Sequence, residues 1–326
     1  MEKKLKLRDV LVLVAILLLV VIALYSVIQI IEVKLRKPES PNQEQPSKTI
    51  VRDGVSYYPR QDMVVILVAG IDETGPVQDS GTYNNSGEAD MVALVILDQK
   101  KETVDVLALN RDTMLDIPVL GIGGKYAGTI NGQLALAHTY GSGLQDSAQN
   151  LKTTVSNFLY GLSIDYYITM NMDAIALLND SVGGVTVTVD EDFSAVDSTI
   201  GMGQVTLTGQ QAVSFLRSRQ GVGDQLNLTR MERHEAYMTG FVNQLRSKLK
   251  EDRTLAATVY EQMTPYMVTD ISSNALLGLV EYYSDYDMGQ IYSVEGENVV
   301  GKYMEYHVDA EALDKLILKL LYAPKN

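Results

Sequence analysis

Arginine is concentrated in one short stretch of a chain that is otherwise acidic. Of the eleven arginines among 326 residues, four lie between positions 217 and 233, namely Arg217, Arg219, Arg230 and Arg233. Arg230 and Arg233 are three residues apart and would share one face of a helix, and a hairpin of that helix with the preceding element would bring all four arginines together. Guanidinium groups bind phosphate oxygens bidentately and converge best around a polyanion. The stretch therefore indicates a phosphate site, and surface ion pairing with acidic neighbours is the alternative.

Two aspartates beside apolar runs could supply a metal site next to this phosphate site. Asp72 follows the run Met63–Val68, and Asp90 immediately precedes the run Met91–Leu97. Mg²⁺ prefers a few carboxylates together with phosphate oxygens and water. Arg111 leaves the third apolar run in the same region, so that carboxylates, a metal and arginines would together form a diphosphate site. Each aspartate could instead be a capping residue of a turn or helix.

Composition excludes several other functions. The chain has 41 acidic and 27 basic residues and a formal net charge of −14, which argues against general nucleic-acid binding. It has no cysteine, which rules out thiol nucleophiles, disulfides and thiolate metal sites. Its three histidines, at positions 138, 234 and 307, argue against a histidine-rich zinc site. The sequence also lacks a Gly-x-Ser-x-Gly elbow and a P-loop.

The elements that would position these side chains alternate between strands and helices. Three apolar runs beginning at residues 63, 91 and 103, the first two continuous and the third alternating, predict strands, and residues 165–170 and 185–189 predict two more. Helices are predicted over residues 133–140, 146–160, 172–182, 208–217, 228–250, 274–283 and 309–321. This order predicts an α/β (α+β layered) fold with a central mixed sheet flanked by helices.

The N-terminal part is basic and apolar, in contrast to the rest of the chain. Val10–Ile31 is long enough to cross a bilayer, since 22 residues of helix span roughly 33 Å. We expect residues 1–9 in the cytoplasm, a single membrane span over 10–31 and an extracellular tether over 32–61. A main domain over 62–250 and a C-terminal extension over 251–326, packed on the core, would follow.

At the candidate phosphate and metal residues and in the segments around them, the chain resembles the LytR-CpsA-Psr family. The matching elements occur in the family's order from residue 62 to residue 250. They are Gly70-Ile71-Asp72, Ala89-Asp90-Met91, Asn110-Arg111-Asp112-Thr113, Asp116-Ile117-Pro118, Ile130-Asn131, His138 to Gly141, Ile164 to Tyr167, Val182 to Val185, the helix start Leu207 to Ala212, Arg217-Ser218-Arg219, Asp224, and Arg230-Met231-Glu232-Arg233. The Arg-x-Arg pair followed by Arg-x-x-Arg is the most specific part of the resemblance.

The resemblance implies a membrane-anchored phosphotransferase that faces a Gram-positive-type cell wall. Such enzymes move an anionic glycopolymer from a polyprenyl diphosphate carrier to peptidoglycan, with Mg²⁺ (or Mn²⁺) as the cofactor and no nucleic acid involved. By motif position the metal ligands would be Asp72 and Asp90. The diphosphate ligands would be Arg111, Arg217, Arg219, Arg230 and Arg233. Arg111, Arg217 and Arg219 would act in catalysis together with Asp224, which would orient or deprotonate the attacking hydroxyl.

Three positions depart from the family's pattern. Glu88 stands where an arginine is usual, Thr129 where a lysine is usual, and Asn110 where a proline is usual. Loss of two cationic contacts leaves open a binding module that holds lipid-linked diphosphate glycans without turnover. A transcriptional regulator is the third reading, but the acidic outer domain and the short segment before the span argue against DNA binding.

Overall fold

The computed structural model describes residues 49–218 and 221–222, isolated positions between 233 and 252, residues 255–272, isolated positions between 275 and 283, and residues 286–324. The chain divides into two compact units. Among the described residues, the sheet unit comprises 49–170, 268–271 and 287–324, and the second unit lies within 171–267 and 272–286.

The strands and helices of the described residues can be given in chain order. The strands are β1 (Ile50–Arg52), β2 (Val55–Pro59), β3 (Met63–Ile71), β4 (Ala89–Asp98), β5 (Thr103–Leu109), β6 (Met114–Gly121), β7 (Lys125–Gln133), β8 (Tyr166–Met170), β9 (Val185–Val189), β10 (Gly203–Leu207), β11 (Met267–Thr269), β12 (Asp287–Ser293), β13 (Gly296–Val300), β14 (Met304–Val308) and β15 (Tyr322–Pro324). The α-helices are α1 (Gln145–Phe158), α2 (Met172–Ser181), α3 (Gly209–Arg217), α4 (Leu255–Met263) and α5 (Ala310–Leu321).

A six-stranded mixed sheet with the order β11-β8-β3-β4-β5-β12 forms the centre of the sheet unit. Strand β4 pairs antiparallel with β3 and with β5, whereas β8 and β12 run parallel to their partners β3 and β5. Residues on both faces of β3 are buried, as Ile66 and Leu67 show at 0% exposure. Burial of both faces explains why the strands are continuous apolar runs instead of alternating ones. The predicted α/β class and central mixed sheet are confirmed.

Helices α1 and α5 contribute apolar side chains to the core cluster that covers one face of this sheet. Leu151 and Val155 of α1 and Ile317 and Leu321 of α5 are fully buried in it beside Leu67 of β3. Helix α5 and strand β12 come from the predicted C-terminal extension, so that part of the chain supplies both a strand and a core helix to the sheet unit.

Residues assigned to the tether also form regular structure. Strand β2 pairs antiparallel with β1 and with the C-terminal strand β15, so the two ends of the described chain meet in one small sheet. The stretch Val55-Ser-Tyr-Tyr forms a short strand. It was assigned to the tether because the segment just before it is rich in proline. The predicted span Val10–Ile31 lies outside the described residues. Within the parts of the chain that are described, none of the helices has the length and apolar character needed to cross a membrane.

Two further hairpins in the sheet unit, besides β1–β2, were not predicted. Strands β6 and β7 pair antiparallel from Met114 opposite Gln133 to Gly121 opposite Lys125. The turn between them includes Gly123 at φ 72°, a backbone conformation that glycine adopts readily. The second hairpin is β13–β14. The predicted helix over 133–140 is instead the last residue of β7 followed by a short 3₁₀ turn, Leu134–Ala137.

The second unit contains the hairpin β9–β10 and the helices α2, α3 and α4. Helix α2 packs against both α3 and α4. The side chain of Asn171 accepts hydrogen bonds at the start of α2, and Thr208 and Gln211 form a capping box at the start of α3. These caps fix the first residues of both helices, and the predicted helix from Thr208 to Arg217 is confirmed.

Candidate functional site

A bulge at the end of the β3–β4 pair presents Asp90. Gly70 lies opposite Met91 and Ile71 lies opposite Ala89, so Asp90 is the extra residue of β4 at this point. Beyond the strand end, the Asp72 N–H donates to the Glu88 carbonyl at 2.9 Å. A bulge changes the direction in which a side chain leaves the strand and is frequent beside functional sites. Asp72, Glu88 and Asp90 therefore belong to the same end of the sheet.

Arg111 follows β5 and lies among three carboxylates. Its Nη2 is 2.7 Å from Glu88 Oε2, its Nη1 forms a close ion pair with Asp90, and its Nε is 3.5 Å from Asp112 Oδ1. The Arg111 side chain is 13% exposed, and those of Asp90 and Asp112 are 16% and 12% exposed. The structure thus brings two predicted site residues, Arg111 and Asp90, into direct contact.

The three carboxylates around Arg111 leave this site acidic. One guanidinium faces the carboxylates of Glu88, Asp90 and Asp112, which gives a local excess of two negative charges when all are ionised. Glu88 is the most exposed of the three, at 41%. An anionic substrate would meet net repulsion here unless a cation accompanied it or Glu88 moved away.

The carboxylates at this end of the sheet could contribute two ligands to a Mg²⁺ ion. Among the described residues, no group of three or more His, Asp or Glu side chains has an arrangement that could hold a metal. Asp72 and Asp90 would supply two carboxylates, and Mg²⁺ is commonly held by one or two carboxylates with substrate phosphates and water. The residues therefore fit a metal that arrives with a phosphate ligand, and the metal site stays a prediction.

The loop from residue 73 to residue 88 is anchored on the segment that precedes α1 and on the first turn of that helix. Asn85 Nδ2 lies 2.8 Å from the Gly141 carbonyl and 3.1 Å from Ser147 Oγ, and Asn85 Oδ1 accepts from the Gly87 N–H at 2.8 Å. A Cβ atom at Gly87 would lie 2.9 Å from Ile71 Cγ2 and 3.0 Å from Asn85 Oδ1, so a larger residue would force one of these side chains to shift. These contacts hold the backbone directly before Glu88.

His138 adds a second anchor at the same place. Its Nδ1 lies 2.8 Å from the Gly87 carbonyl, which can only accept, so Nδ1 carries the proton. Burial lowers the pKa of His138, and the ring is therefore neutral at pH 7. The sequence indicated His138 only as part of a family element, and its pairing with Gly87 was not predicted.

In the second unit, Arg217 is the last residue of α3 and is exposed. A cation in the last turn of a helix interacts favourably with the helix dipole.

Arg233 is only 6% exposed. Its guanidinium donates to the Phe215 carbonyl at 3.0 Å, to the Ser218 carbonyl and to Glu191. Its predicted role as a diphosphate ligand stays untested, and the structure shows these donors directed at acceptors of the protein. Arg219, Asp224 and Arg230 lie outside the described residues.

Sequence reasoning missed the acidic partners of these arginines. Glu88 was singled out as a departure from the family, but its contact with Arg111 was not foreseen. Alternation along a regular strand would place residues 88 and 90 on the same side, but β4 begins at Ala89 and Asp90 is its bulge residue, so this pattern could not predict the contact. Glu191 lies 42 positions before Arg233, and no local pattern connects them.

These elements belong to a known class of protein. Residues 24–320 match the LytR_cpsA_psr family, and the chain is a member of it. The resemblance seen in the motifs is therefore confirmed, over a longer part of the chain than residues 62–250.

Particular relatives carry more specific names. The polyisoprenyl-teichoic acid–peptidoglycan teichoic acid transferase TagU of Oceanobacillus iheyensis is 28% identical over 229 residues, which are 70% of this chain and 65% of that protein. The chain thus spans less than two thirds of this relative's length. A solved structure of the Streptococcus agalactiae protein gbs0355 has 20% identity and a TM-score of 0.63, and covers 79% of this chain and 86% of that one. TagT bound to LI-WTA has 20% identity and a TM-score of 0.56, and covers 80% and 90%. At about 20% identity, the similarity to these solved structures shows that this chain has the same fold.

Proposed function

We propose that this chain is a phosphotransferase of the cell envelope. It moves an anionic glycopolymer from a polyprenyl diphosphate carrier to peptidoglycan, and Val10–Ile31 anchors it in the cell membrane with the outer domain on the extracellular side. The proposal is supported by the family, by the name of the TagU relative and by the site at the end of β3, β4 and β5. The observation that carries it is the position of Arg111 beside Asp90 at the β4 bulge.

Arg111 would act by holding a phosphate oxygen of the substrate. Glu88 is the most exposed of its carboxylate partners, so Nη2 is the donor that a phosphate oxygen would take over when Glu88 moves away. The guanidinium would then stabilise the charge that develops as the diphosphate is cleaved, a contribution typical of phosphoryl transfer. Asp90 would hold the guanidinium in place from the other side.

The remaining roles follow from motif positions. Asp72 and Asp90 would be the ligands of Mg²⁺ (or Mn²⁺), which when bound neutralises phosphate charge. The acceptor hydroxyl would attack the phosphorus that carries the glycopolymer. The bond from this phosphorus to the bridging oxygen would break, and polyprenyl phosphate would leave. The hydroxyl proton would pass to Asp224. Arg217, Arg219 and Arg230 would be further diphosphate ligands.

One observation favours a second function. Glu88 forms an ion pair with Arg111 and adds a negative charge to the site. That charge disfavours binding of an anionic diphosphate in the position needed for its cleavage. The chain would then be a binding module for lipid-linked diphosphate glycans that does not turn them over.

Transfer of a labelled glycan separates the two functions. The full chain, in detergent with Mg²⁺, is incubated with a polyprenyl diphosphate-linked glycan and peptidoglycan. We expect the label in the peptidoglycan fraction together with released polyprenyl phosphate. The opposite result would be saturable binding of the lipid without release of polyprenyl phosphate, at every Mg²⁺ concentration and with every acceptor. That result would support the binding module and reject the transferase.

A further inference from the structure

Arg233 is a buried arginine whose donors are directed at the protein itself. Its side chain is 7% exposed, and that of its carboxylate partner Glu191 is 14% exposed. The Nε donates to the Phe215 carbonyl at 3.0 Å, Nη2 donates to the Ser218 carbonyl, and Nη1 donates to Glu191. One planar guanidinium thus joins two backbone carbonyls to a carboxylate, a geometry that the compact ammonium group of lysine does not reproduce.

Both carbonyls belong to the C-terminal end of α3. The last four carbonyls of a helix have no partner within it and need donors from elsewhere. Phe215 lies in the last turn and Ser218 is the C-cap, where the backbone leaves the helix with an extended conformation at φ −68° and ψ 131°. Arg233 therefore serves as the donor that closes this helix end.

Arg217 lies between the two carbonyls that Arg233 holds. Phe215 is two residues before it and Ser218 is the residue after it. Fixing the carbonyls on either side fixes the direction in which the Arg217 side chain leaves the backbone. The exposed arginine at the end of α3 is therefore placed by the buried one.

Two stacked aromatic rings lie beside the same guanidinium, and one of them contacts it. The Arg233 guanidinium carbon is 5.3 Å from the centroid of the Phe193 ring, within the range of a cation–π contact. Phe193 in turn stacks on Phe215 with centroids 5.4 Å apart, and both rings are 1% exposed. Phe193 and Phe215 thus fix the guanidinium against the helix that it closes.

We propose that Arg233 is a positioning residue that holds the C-terminal turn of α3 and so aims Arg217. This inference rests on the proposed function, because it takes Arg217 as a ligand of the diphosphate. It assigns Arg233 a task that differs from direct contact with the substrate.

The test compares Arg233→Lys with a matched variant elsewhere. Arg60 is also a poorly exposed arginine, at 10%, that holds a carboxylate and a backbone carbonyl, those of Asp98 and Leu320. Both variants are made in the full chain. Thermal unfolding, steady-state transfer and backbone amide exchange over residues 214–218 are measured for each.

We expect Arg233→Lys to raise KM for the polyprenyl diphosphate substrate about tenfold, because misplacing a ligand group costs affinity. Amide exchange at residues 214–218 should become about tenfold faster, since the helix end loses its donor. Arg60→Lys should lower the unfolding temperature but leave KM and the exchange of residues 214–218 unchanged.

Two results would overturn the proposal. A raised KM with wild-type amide exchange would show that Arg233 contacts the substrate directly. Unchanged exchange and unchanged KM would show that it does not place Arg217. If Arg233→Lys fails to fold, Glu191→Gln takes its place and should show the same changes to a smaller extent. If the wild-type chain transfers no glycan, the proposed function fails, and the exchange data still decide whether Arg233 holds α3.

Discussion

Arg111 Nη2 lies 2.7 Å from Glu88 Oε2, so the arginine that we propose to bind the diphosphate is held by a carboxylate of its own chain. Glu88 stands where relatives are expected to have an arginine. It changes the local charge by two units compared with that arginine, and it occupies the donor that the substrate would use. If Arg111 binds the diphosphate as proposed, this contact would lower the affinity of the site for anions.

Substitution of Glu88 tests this competition. Glu88→Gln should lower Kd for a polyprenyl diphosphate lipid about two- to fivefold, because a partly exposed ion pair contributes about 0.5–1 kcal/mol. Binding is measured by titration of the full chain. Glu311→Gln is the control, since Glu311 forms an exposed ion pair with Lys315 on α5. A higher Kd for Glu88→Gln would mean that Glu88 organises the site instead of competing for it.

Asn85 links the loop before Glu88 to the segment before α1. Asn85→Ala should lower the free energy of unfolding by about 1–3 kcal/mol, because the carbonyl of Gly141 and the N–H of Gly87 lose a partner. Chemical denaturation measures this change. Asn84→Ala changes an exposed neighbour of the same type and should stay within about 0.5 kcal/mol of wild type. Equal effects of the two substitutions would show that Asn85 is not the anchor.

Removal of the metal tests the role of Asp72 and Asp90. Chelation by EDTA should abolish transfer, and added Mg²⁺ should restore it, because the carboxylates around Arg111 repel an uncompensated diphosphate. Asp90→Asn should raise the Mg²⁺ concentration needed for half-maximal activity. Full transfer activity in excess EDTA would show that transfer does not need the metal.

Asp98 stabilises the sheet unit in a pH-dependent way. It is fully buried, and Arg60 Nη1 and Nη2 lie 2.7 and 2.8 Å from its two oxygens. Burial by itself would raise the pKa of Asp98, but hydrogen bonds from Arg60 and Lys101 outweigh it and hold the pKa well below its usual value. A depressed pKa in the folded state adds stability above the unfolded-state value near 4. This stability is lost as the pH falls toward the folded-state value.

Asp98→Asn should therefore destabilise the protein by about 1–3 kcal/mol at pH 7, because Arg60 and Lys101 lose a buried carboxylate and Arg60 keeps only the more exposed Asp62 as an acidic partner. Urea denaturation at pH 7 and at pH 3 checks both the size and the sign. The difference between variant and wild type should shrink at pH 3. A constant difference at both pH values would contradict the depressed pKa.

The sequence predicted well those features that depend on local patterns. The strands at residues 63 and 91 are continuous apolar runs, the strand at residue 103 alternates, and the start of α3 carries a capping box, so these elements could be predicted from the local sequence. The metal and diphosphate roles were assigned from motif positions and stay predictions. These features need only neighbours within a few residues.

Features that depend on tertiary pairing could not be read. The bulge at Asp90 exists only as a register shift against β3, and the Glu191–Arg233 contact joins residues 42 positions apart. The strand β15 has only three residues and is defined by its pairing with β2. In each case the partner, and not the local sequence, determines the structure.

The transfer rate of Arg111→Ala tests the central proposal most directly. Arg52→Ala is the matched control, because Arg52 pairs with Asp314 at the surface of the sheet unit and not with Asp90. We predict that Arg111→Ala lowers kcat/KM for glycan transfer about 10²–10³-fold, by analogy with loss of one donor to a developing charge. Arg52→Ala should stay within about twofold of wild type. Equal transfer rates for Arg111→Ala and Arg52→Ala would contradict the proposed site.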